Sequence, residues 1–496
     1  MKDTFLYKRL FEIIPAFLSW WVLIILFILA VLSPAVCALF LIVYEIYWMI
    51  RTFYLTTLLA IAHQRMRIEK NRNWLIECQK TSHKCQQKWN QIYHAVIFPI
   101  YREDVKILHA SVKALLDANY PKDKLIVVMA FEERDPQARE KAKELEEEFG
   151  RSFLKYMSTF HPDKIAGEAR VKGANATWAA KILKEFIDER RIPYERITIS
   201  CFDADTCVEK EYFSCLTFHY VTSPHPERCS YQPIPVYNNN IWRAPSMARI
   251  IEISSSYCQM IESMRQEKFV TFSSHSMSFK TLVDVDFWPV DMISDDSVIY
   301  WRSMIFYKGD YHVVPMYVTV SMDVAYGRGF LGTLAVQYRQ KRRWAWGVEN
   351  FVYVMLNFVK GTDIPLRLKI RRMFNLLESH ISWATWAIII TILTPIPIIS
   401  GGLIFKGTIT GFSFSRITTL LFVTTNFMIL VWILLSFSLL PPRPHDVKPL
   451  KRITMYTQWF LAPIVIMILG SFPALDAQTR LALGKYLHFQ YTPKER

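Results

Sequence analysis

The chain has 496 residues, of which 52% are hydrophobic and 15% aromatic, and its formal net charge is +15. A chain of this length is too long to fold around one ordinary hydrophobic core, and the apolar fraction indicates that part of the chain lies in lipid. The cations sit beside apolar segments and form no basic stripe interleaved with stacking aromatics, which favours a membrane surface over a nucleic acid as the partner. The 8 cysteines include no C-x-x-C pair; Cys78, His83 and Cys85 form the one close group, and chance is the preferred interpretation.

Two apolar segments stand near the N-terminus. Residues 16–32 carry no charge, and a second stretch runs from Ala35 to about Met49 and can extend to Ala62. Each is close to the roughly 20 residues that cross a bilayer as a helix. A cleaved signal peptide is the competing interpretation, but the first segment is long and continues directly into the second. We therefore predict a transmembrane hairpin.

Three further apolar segments follow late in the chain, at 381–405, 417–440 and 454–473. With the basic N-terminus inside, the positive-inside rule places residues 68–380 in the cytosol, together with the loop that carries Lys448 and Arg452. The sequence thus predicts a multi-pass protein of the plasma membrane with a cytosolic domain between two and three spans. The tail, 476–496, lies outside or along the interface.

Between the two membrane groups the pattern alternates between strands and helices. The first expected elements are a strand at Tyr93–Phe98, a helix at Asp104–Ala118 and a strand at Lys124–Ala130. Two more helices and a strand are expected at Asp135–Phe149, Ala174–Arg190 and Arg196–Phe202. Alternation of this kind predicts an α/β domain with a largely parallel sheet.

Asp203 and Asp205 come directly after the last of these strands. Open α/β folds place ligands at the carboxyl edge of the sheet. Two carboxylates that flank one small residue can bind a divalent cation, which also takes diphosphate oxygens. A D-x-D on its own is also common in surface turns, since Asp bonds to nearby backbone groups.

Asp295 and Asp296 precede an expected helix at Ser297–Tyr307. One interpretation is structural: Ser294 caps the helix, and the acids complement its dipole. The functional interpretation is a general base, a carboxylate that takes the proton of a sugar hydroxyl as its oxygen attacks a donor.

Gln340, Arg343 and Trp344 are spaced i, i+3 and i+4, so on a helix they share a face while Lys341 and Arg342 point elsewhere. An indole stacks on sugar rings, and a guanidinium pairs bidentately with phosphate. The segment 328–346 also suits an amphipathic helix at the membrane interface, and both interpretations can hold together.

These motifs resemble those of the membrane-integrated family 2 glycosyltransferases, which include cellulose, hyaluronan and chitin synthases. The family's D-x-D, T-E-D and Q-x-x-R-W motifs have counterparts here, in the same order, at residues 203–205, 294–296 and 340–344. The resemblance implies a GT-A (nucleotide-diphospho-sugar transferase) domain with interfacial helices. It also implies that Asp203 binds the nucleotide, that Asp205 coordinates the metal and that Asp296 is the base beside Asp295. Gln340, Arg343 and Trp344 would line the acceptor and diphosphate site.

Two upstream segments extend the resemblance. Residues 99–103 are similar to the family's P-x-Y-x-E element, which implies donor contacts by Tyr101 and Glu103, and residues 172–175 are similar to its K-x-x-N segment, which implies a donor contact by Lys172. The family usually has an aspartate after the second strand, whereas this chain has Glu132 and Glu133. Either glutamate can substitute for it, and the donor base stays open.

The resemblance implies inverting, metal-dependent sugar transfer with Mg²⁺ or Mn²⁺ at Asp203 and Asp205. The donor would be a UDP- or GDP-sugar, and the acceptor a polysaccharide extended processively or, as the alternative, a lipid carrier glycosylated once. A non-catalytic transporter or scaffold is the remaining hypothesis, and five spans are few for a channel, which leaves a homodimer open. The expected divisions are 1–66 (hairpin), 67–90 (linker), 91–322 (catalytic domain), 323–380 (interfacial helices), 381–475 (C-terminal spans) and 476–496 (tail).

Overall fold

A mixed sheet forms the centre of the molecule. The computed structural model describes residues 2–81, 85, 87–448 and 450–487; His83 and the tail beyond 487 lie outside them. Within these residues the sheet has eight strands in the order β3-β2-β1-β4-β7-β6-β8-β5. The strands are β1 Tyr93–Ile100, β2 Leu125–Glu132, β3 Lys155–His161, β4 Ile197–Cys201, β5 Cys207–Val208, β6 Cys229–Tyr237, β7 Ser276–Ser278 and β8 His312–Met322.

The first half of the sheet is parallel, as the sequence predicts. β1 pairs in parallel with both β2 and β4, so that Val96 lies beside Val127 and Ser200, and β2 pairs in parallel with β3. Every residue of β2 is buried, and its nearly continuous apolar sequence is typical of a strand covered on both faces. The carboxyl ends of β1, β2 and β4 therefore meet at one edge. The second half of the sheet is mixed, because β7 runs antiparallel to β4 and β6.

Helices cover the sheet and form the apolar bundle beside it. Those before β6 are α1 Lys2–Leu32, α2 Pro34–Lys70, α3 Trp74–Thr81, α4 Val105–Leu116, α5 Ala138–Phe149, α6 Lys172–Glu189 and α7 Tyr212–Thr222. Next come α8 Ser246–Ser263, α9 Phe279–Asp284, α10 Asp295–Phe306, α11 Gly329–Ala345, α12 Glu349–Val359 and α13 Leu366–Ile388. The last are α14 Ile396–Lys406, α15 Ile409–Ser438, α16 Lys451–Thr457, α17 Ala462–Ile466 and α18 Phe472–Ala482.

Two of these helices differ from their expected bounds. α10 begins at Asp295, so the two acids lie in its first turn and not before it. α18 continues to Ala482, well past the expected end of the last apolar segment at residue 473. The polar residues Asp476 and Arg480 pair within its turns at 2.8 Å, which supports the helix beyond the apolar stretch.

Five helical segments among the described residues are long and apolar enough to cross a membrane. They are Phe5–Leu32, Pro34–Lys70, Leu366–Lys406, Ile409–Ser438 and Lys451–Ala482. Apolar side chains on them face outward; Ile404 and Ile409, for example, are 89% and 88% exposed. Such exposure of large apolar side chains marks a surface that lies in lipid or against another protein. The number of candidate spans agrees with the sequence prediction.

Candidate functional site

A cavity of about 210 Å³ lies at the carboxyl edge of the parallel strands, beneath α11. Sequence-predicted residues that are far apart in the chain line it together: Tyr101, Glu103, Glu132, Lys172, Asp203, Asp295, Asp296, Gln340, Arg343 and Trp344. Asp205 is the one predicted site residue that does not line it. The strand ends and three separate helices thus bring the motifs into one site, and the individual roles stay predictions.

Three ion-paired side chains form what we call the charged floor of the cavity: Lys172, Asp203 and Asp296. The Lys172 Nζ lies 2.7 Å from Asp203 Oδ1 and 2.9 Å from Asp296 Oδ1. The Ser273 hydroxyl donates to the other oxygen of Asp203 at 2.7 Å. One ammonium therefore bridges the carboxylates of two distant motifs.

Glycine at position 173 permits this approach. α6 begins with Lys172 and Gly173 directly against the loop before α10, and a Cβ on Gly173 would lie 2.5 Å from the Pro289 carbonyl oxygen and 3.0 Å from Asp295 Cβ. Any side chain there would push α6 away from α10. The floor depends on this close contact, since Lys172 comes from one helix and Asp296 from the other.

The charges of the floor act on one another. Burial opposes the charge on Lys172, but Asp203 and Asp296 outweigh it and raise the pKa of Lys172 well above its usual value. Burial, with the neighbouring Asp296 carboxylate, raises the pKa of Asp295 well above its usual value. The lysine is thus held as a cation, while Asp295 is driven toward its protonated form. Two adjacent acids with different surroundings suit different tasks.

The cavity offers oxygen donors of the kind that Mg²⁺ and Mn²⁺ prefer. Asp203 lines it, as does Asp323, which follows β8. Asp205 is fully buried, and its Oδ2 accepts a hydrogen bond from the Asp323 backbone N–H at 2.7 Å. The chemistry of the donor set fits a hard divalent cation, with Asp203 as the predicted ligand that already faces the cavity. Coordination by Asp205 would require its side chain to turn.

One end of the cavity is built around Glu132, the last residue of β2. Its Oε2 accepts a hydrogen bond from Arg134 Nε at 3.0 Å and lies 3.4 Å from His161 Nδ1. The Arg134 guanidinium lies 4.2 Å from the centre of the Tyr101 ring. Glu133 instead faces outward toward Arg139 at 3.4 Å. Of the two glutamates left open by the sequence, Glu132 is the one in the cavity.

His161 lies beside Glu132 and connects it to a second carboxylate, that of Glu168. Its Nε2 is 2.9 Å from Glu168 Oε2, so carboxylates face both ring nitrogens. Burial favours the neutral ring, but the hydrogen bonds to Glu132 and Glu168 outweigh it and raise the pKa of His161 above its usual value.

A further part of the lining is an aromatic wall, which consists of Tyr237, Phe272 and Trp344. The Trp344 ring lies 5.7 Å from the Tyr237 ring and 5.5 Å from the Phe272 ring, the latter edge-on at 89°. All three side chains line the cavity. Gln340 and Arg343 join Trp344 there, as predicted from their helical spacing. Aromatic faces beside amide and guanidinium groups suit a sugar ring with its hydroxyls and a phosphate.

The other two residues of the motif hold α11 in place. Arg342 pairs with Asp476 of α18 at 2.9 Å. Lys341 is buried and donates to Glu252 Oε2 of α8 at 2.8 Å. As predicted, neither residue lines the cavity. The sequence did not indicate that Lys341 packs against the ring of Trp344, with its Nζ 3.4 Å from the ring centre.

Glu349 supports the site without lining the cavity, and the sequence analysis missed it. Its Oε1 accepts from the Ile293 and Ser294 backbone N–H groups at 3.1 and 2.9 Å and from the Ser294 hydroxyl at 2.7 Å. Its Oε2 accepts from Trp346 Nε1 at 3.0 Å. The Ser294 hydroxyl is thus turned toward Glu349, and this carboxylate anchors the loop that leads into Asp295. The sequence does show an acid five residues after the Q-x-x-R-W motif, at Glu349. Its spacing from the motif, however, does not indicate that it contacts Ile293 and Ser294.

Comparisons with known proteins give distant likenesses. No model of a protein family matches the chain, and no curated protein matches it significantly in sequence. The mannosyltransferase PcManGT from Pyrobaculum calidifontis, solved with GDP-Man and Mn²⁺, aligns with a TM-score of 0.42 and 12% identity over 77% of this chain and 98% of its own. TarS 1-349 from S. aureus aligns with a TM-score of 0.38 and 11% identity over 80% and 94%, respectively. The complex of TarS 1-349 with UDP-GlcNAc aligns with a TM-score of 0.37 and 13% identity over 70% of this chain and 91% of its own. At these scores the likeness assigns neither a family nor a function to this chain.

Proposed function

We propose that this protein transfers a sugar from a nucleoside diphosphate donor to a hydroxyl acceptor at a membrane surface. One observation carries the proposal: a single cavity is lined both by the charged floor and by the aromatic wall with Arg343. A diphosphate needs cations, a sugar ring suits an aromatic face, and an attacking hydroxyl needs a base. The candidate spans before and after the sheet support the membrane location.

In the proposed reaction, Asp296 takes the proton of the acceptor hydroxyl while that oxygen attacks the anomeric carbon of the donor. The bond between this carbon and the diphosphate oxygen breaks, and attack from the opposite side inverts the configuration. Lys172 and Arg343 supply the positive charge that stabilises the leaving diphosphate. Lys172 bridges Asp203 and Asp296, so arrival of a diphosphate can draw its ammonium away and release the Asp296 carboxylate to act as base.

A divalent cation fits this scheme as a further source of charge. Mg²⁺ or Mn²⁺ held by Asp203, with Asp205 as the second predicted ligand, would neutralise charge on the diphosphate. Glu132 is the residue that we assign to the donor base, because it is the buried acid at the end of β2 and lines the cavity. The proposal covers UDP- and GDP-sugars, since one carboxylate can accept from the ring N–H of either base.

The acceptor in the leading form of the proposal is a growing polysaccharide, extended processively by a family 2 type of enzyme. The aromatic wall favours this form, because the Trp344 indole offers a face on which the terminal sugar ring of a glycan can stack. Single transfer to a lipid carrier is the alternative. We place the catalytic domain on the cytosolic side of the plasma membrane, as the basic segments beside the candidate spans favour.

Purified full-length protein incubated with a panel of labelled UDP- and GDP-sugars and Mg²⁺ or Mn²⁺ tests the proposal. We expect nucleotide release and labelled product with at least one donor, and we expect both to fall when EDTA removes the cation. A ladder of products or a high polymer would support the polysaccharide form, and a single extractable glycolipid would support the lipid form. Failure to release nucleotide from every donor with either cation would contradict sugar transfer.

A further inference from the structure

A buried ion pair lies directly behind the aromatic wall. Lys341 of α11 donates to Glu252 Oε2 of α8 at 2.8 Å, and the two side chains are 3% and 0% exposed. The Lys341 Nζ also contacts the Ser255 hydroxyl at 3.1 Å. Gln337, one turn earlier on α11, donates to the other Glu252 oxygen at 3.1 Å. The ammonium therefore has a fixed position between the two helices.

That position is against the indole of Trp344. The Lys341 Nζ lies 3.4 Å from the centre of the Trp344 ring and 5.8 Å from the centre of the Tyr237 ring. A cation over an aromatic face is attracted by the negative charge of the π-system, and the attraction strengthens where water is excluded. The indole thus contacts the Lys341 ammonium, which does not line the cavity, and the Tyr237 and Phe272 rings, which line it together with Trp344.

Stability alone gives little reason for a lysine at this point. Burying two charges carries a large desolvation cost, and a well-packed apolar pair of similar volume is often neutral or stabilising in its place. Apolar side chains could hold α8 against α11 without this desolvation cost. The location of the pair supplies a reason, because the lysine is interposed between Glu252 and the one indole of the motif that lines the cavity.

We propose that Lys341, fixed by Glu252, is a positioning residue for the acceptor: its ammonium holds the Trp344 indole in the orientation that stacks on the acceptor sugar ring. This inference rests on the proposed function and adds a residue to it. Lys341 does not line the cavity, so it acts through Trp344 and not on the substrate. The donor contacts on the charged floor do not depend on it.

The test replaces the ion pair by an apolar pair. Lys341→Met alone leaves Glu252 buried without its cation, so this single variant is expected to lose stability. The double variant Glu252→Met/Lys341→Met removes both charges and is expected to recover the thermal midpoint. In the double variant we expect the acceptor KM to rise about tenfold, because the indole has lost its cation, whereas the donor KM and nucleotide release without acceptor stay at wild-type values.

The acceptor probes are cellotetraose, chitotetraose and octyl β-glucoside, each used with the donor that supports transfer. Arg339→Met is the matched control, since Arg339 lies on the same helix and its side chain is exposed; its acceptor KM should match that of the wild type. A stable double variant with a wild-type acceptor KM would overturn the inference and leave the proposed function intact. A wild-type protein that transfers sugar to none of the probes and to no endogenous acceptor would overturn both.

Discussion

The charged floor and the aromatic wall of the cavity are held by different parts of the molecule. Lys172 and Asp203 of the floor lie at strand ends and a helix start of the sheet domain, and ion pairs among the floor residues themselves fix their positions. Trp344 of the wall is fixed from behind by α8, through Lys341. We infer that the donor contacts other than Arg343 of α11 are local to the sheet domain, whereas acceptor binding depends on how helices pack beside the membrane. Substitutions in the two regions should therefore separate donor effects from acceptor effects.

Asp296→Asn should have the largest effect. Loss of a general base costs about 10²- to 10⁴-fold in rate, so transfer should fall by that factor while the acceptor KM changes little. The measurement is the initial rate of sugar transfer at saturating donor and acceptor. Asp286→Asn is the control, since the Asp286 side chain is 83% exposed. A normal rate of sugar transfer in the Asp296→Asn variant would contradict the assignment of Asp296 as the general base.

Lys172→Gln should mainly weaken donor binding. A hydrogen bond to a charged group contributes about 1.5–3 kcal/mol, which corresponds to roughly a 10- to 100-fold rise in the donor KM. The acceptor KM should stay within about twofold, a margin that corresponds to less than 1 kcal/mol. Lys181→Gln is the control, because Lys181 lies on the same helix and is exposed. If Lys172→Gln raised the acceptor KM instead, the division between floor and wall would be wrong.

Trp344→Ala should give the opposite pattern. Loss of aromatic stacking costs about 0.5–1.5 kcal/mol beyond the buried area, so the acceptor KM should rise about tenfold with little change in the donor KM. Trp344→Phe keeps an aromatic face and should give an intermediate value. Equal losses in donor and acceptor affinity for the alanine variant would show that the wall also binds the donor.

The smallest expected effect is a pH dependence of acceptor binding. Burial lowers the pKa of Lys341 to about 8, although Glu252 partly offsets this. A lysine is a cation below its pKa, so the ammonium behind Trp344 is lost as the pH rises through about 8. The acceptor KM should then increase about threefold between pH 7 and 9, as an order-of-magnitude expectation from a weakened cation–π contact.

The other groups that face Lys341 are Glu252 and Cys258 of α8, Tyr237 of β6 and Arg343 of α11. Burial raises the pKa of Cys258 to about 11 and the pKa of Tyr237 well above its usual value, so neither titrates in this window. The variant Glu252→Met/Lys341→Met has no ammonium and should show no such rise. A pH profile that persists in this variant would assign the titration to another group.

The sequence indicated the residues of the charged floor and, in the aromatic wall, Trp344, but it did not indicate the Lys341–Glu252 pair that lies behind Trp344. Asp203 directly follows a strand in the sequence, and the parallel edge of the sheet then brings it to Lys172. The helical spacing of Gln340, Arg343 and Trp344 predicted that they share a face of one helix, and all three line the cavity. Both predictions use local rules, in which chain position determines side-chain direction.

Other features depend on contacts between distant segments. Glu349 and Ile293 are 56 positions apart, and Lys341 and Glu252 are 89 apart, so no periodicity in the sequence connects them. The burial of Asp205 follows from its contact with the backbone of Asp323, another long-range pair. Local patterns predict which groups reach the edge of a sheet, but only packing decides which partners they find there.

The most direct test of the central claim is a cryo-electron microscopy map of the full-length protein with the donor selected by the screen and a non-reacting acceptor. We predict density for the nucleoside diphosphate between Lys172 and Arg343, with the base toward Glu132 and an acceptor ring against Trp344. Nucleotide density outside this cavity, or an acceptor bound away from the aromatic wall, would contradict the account.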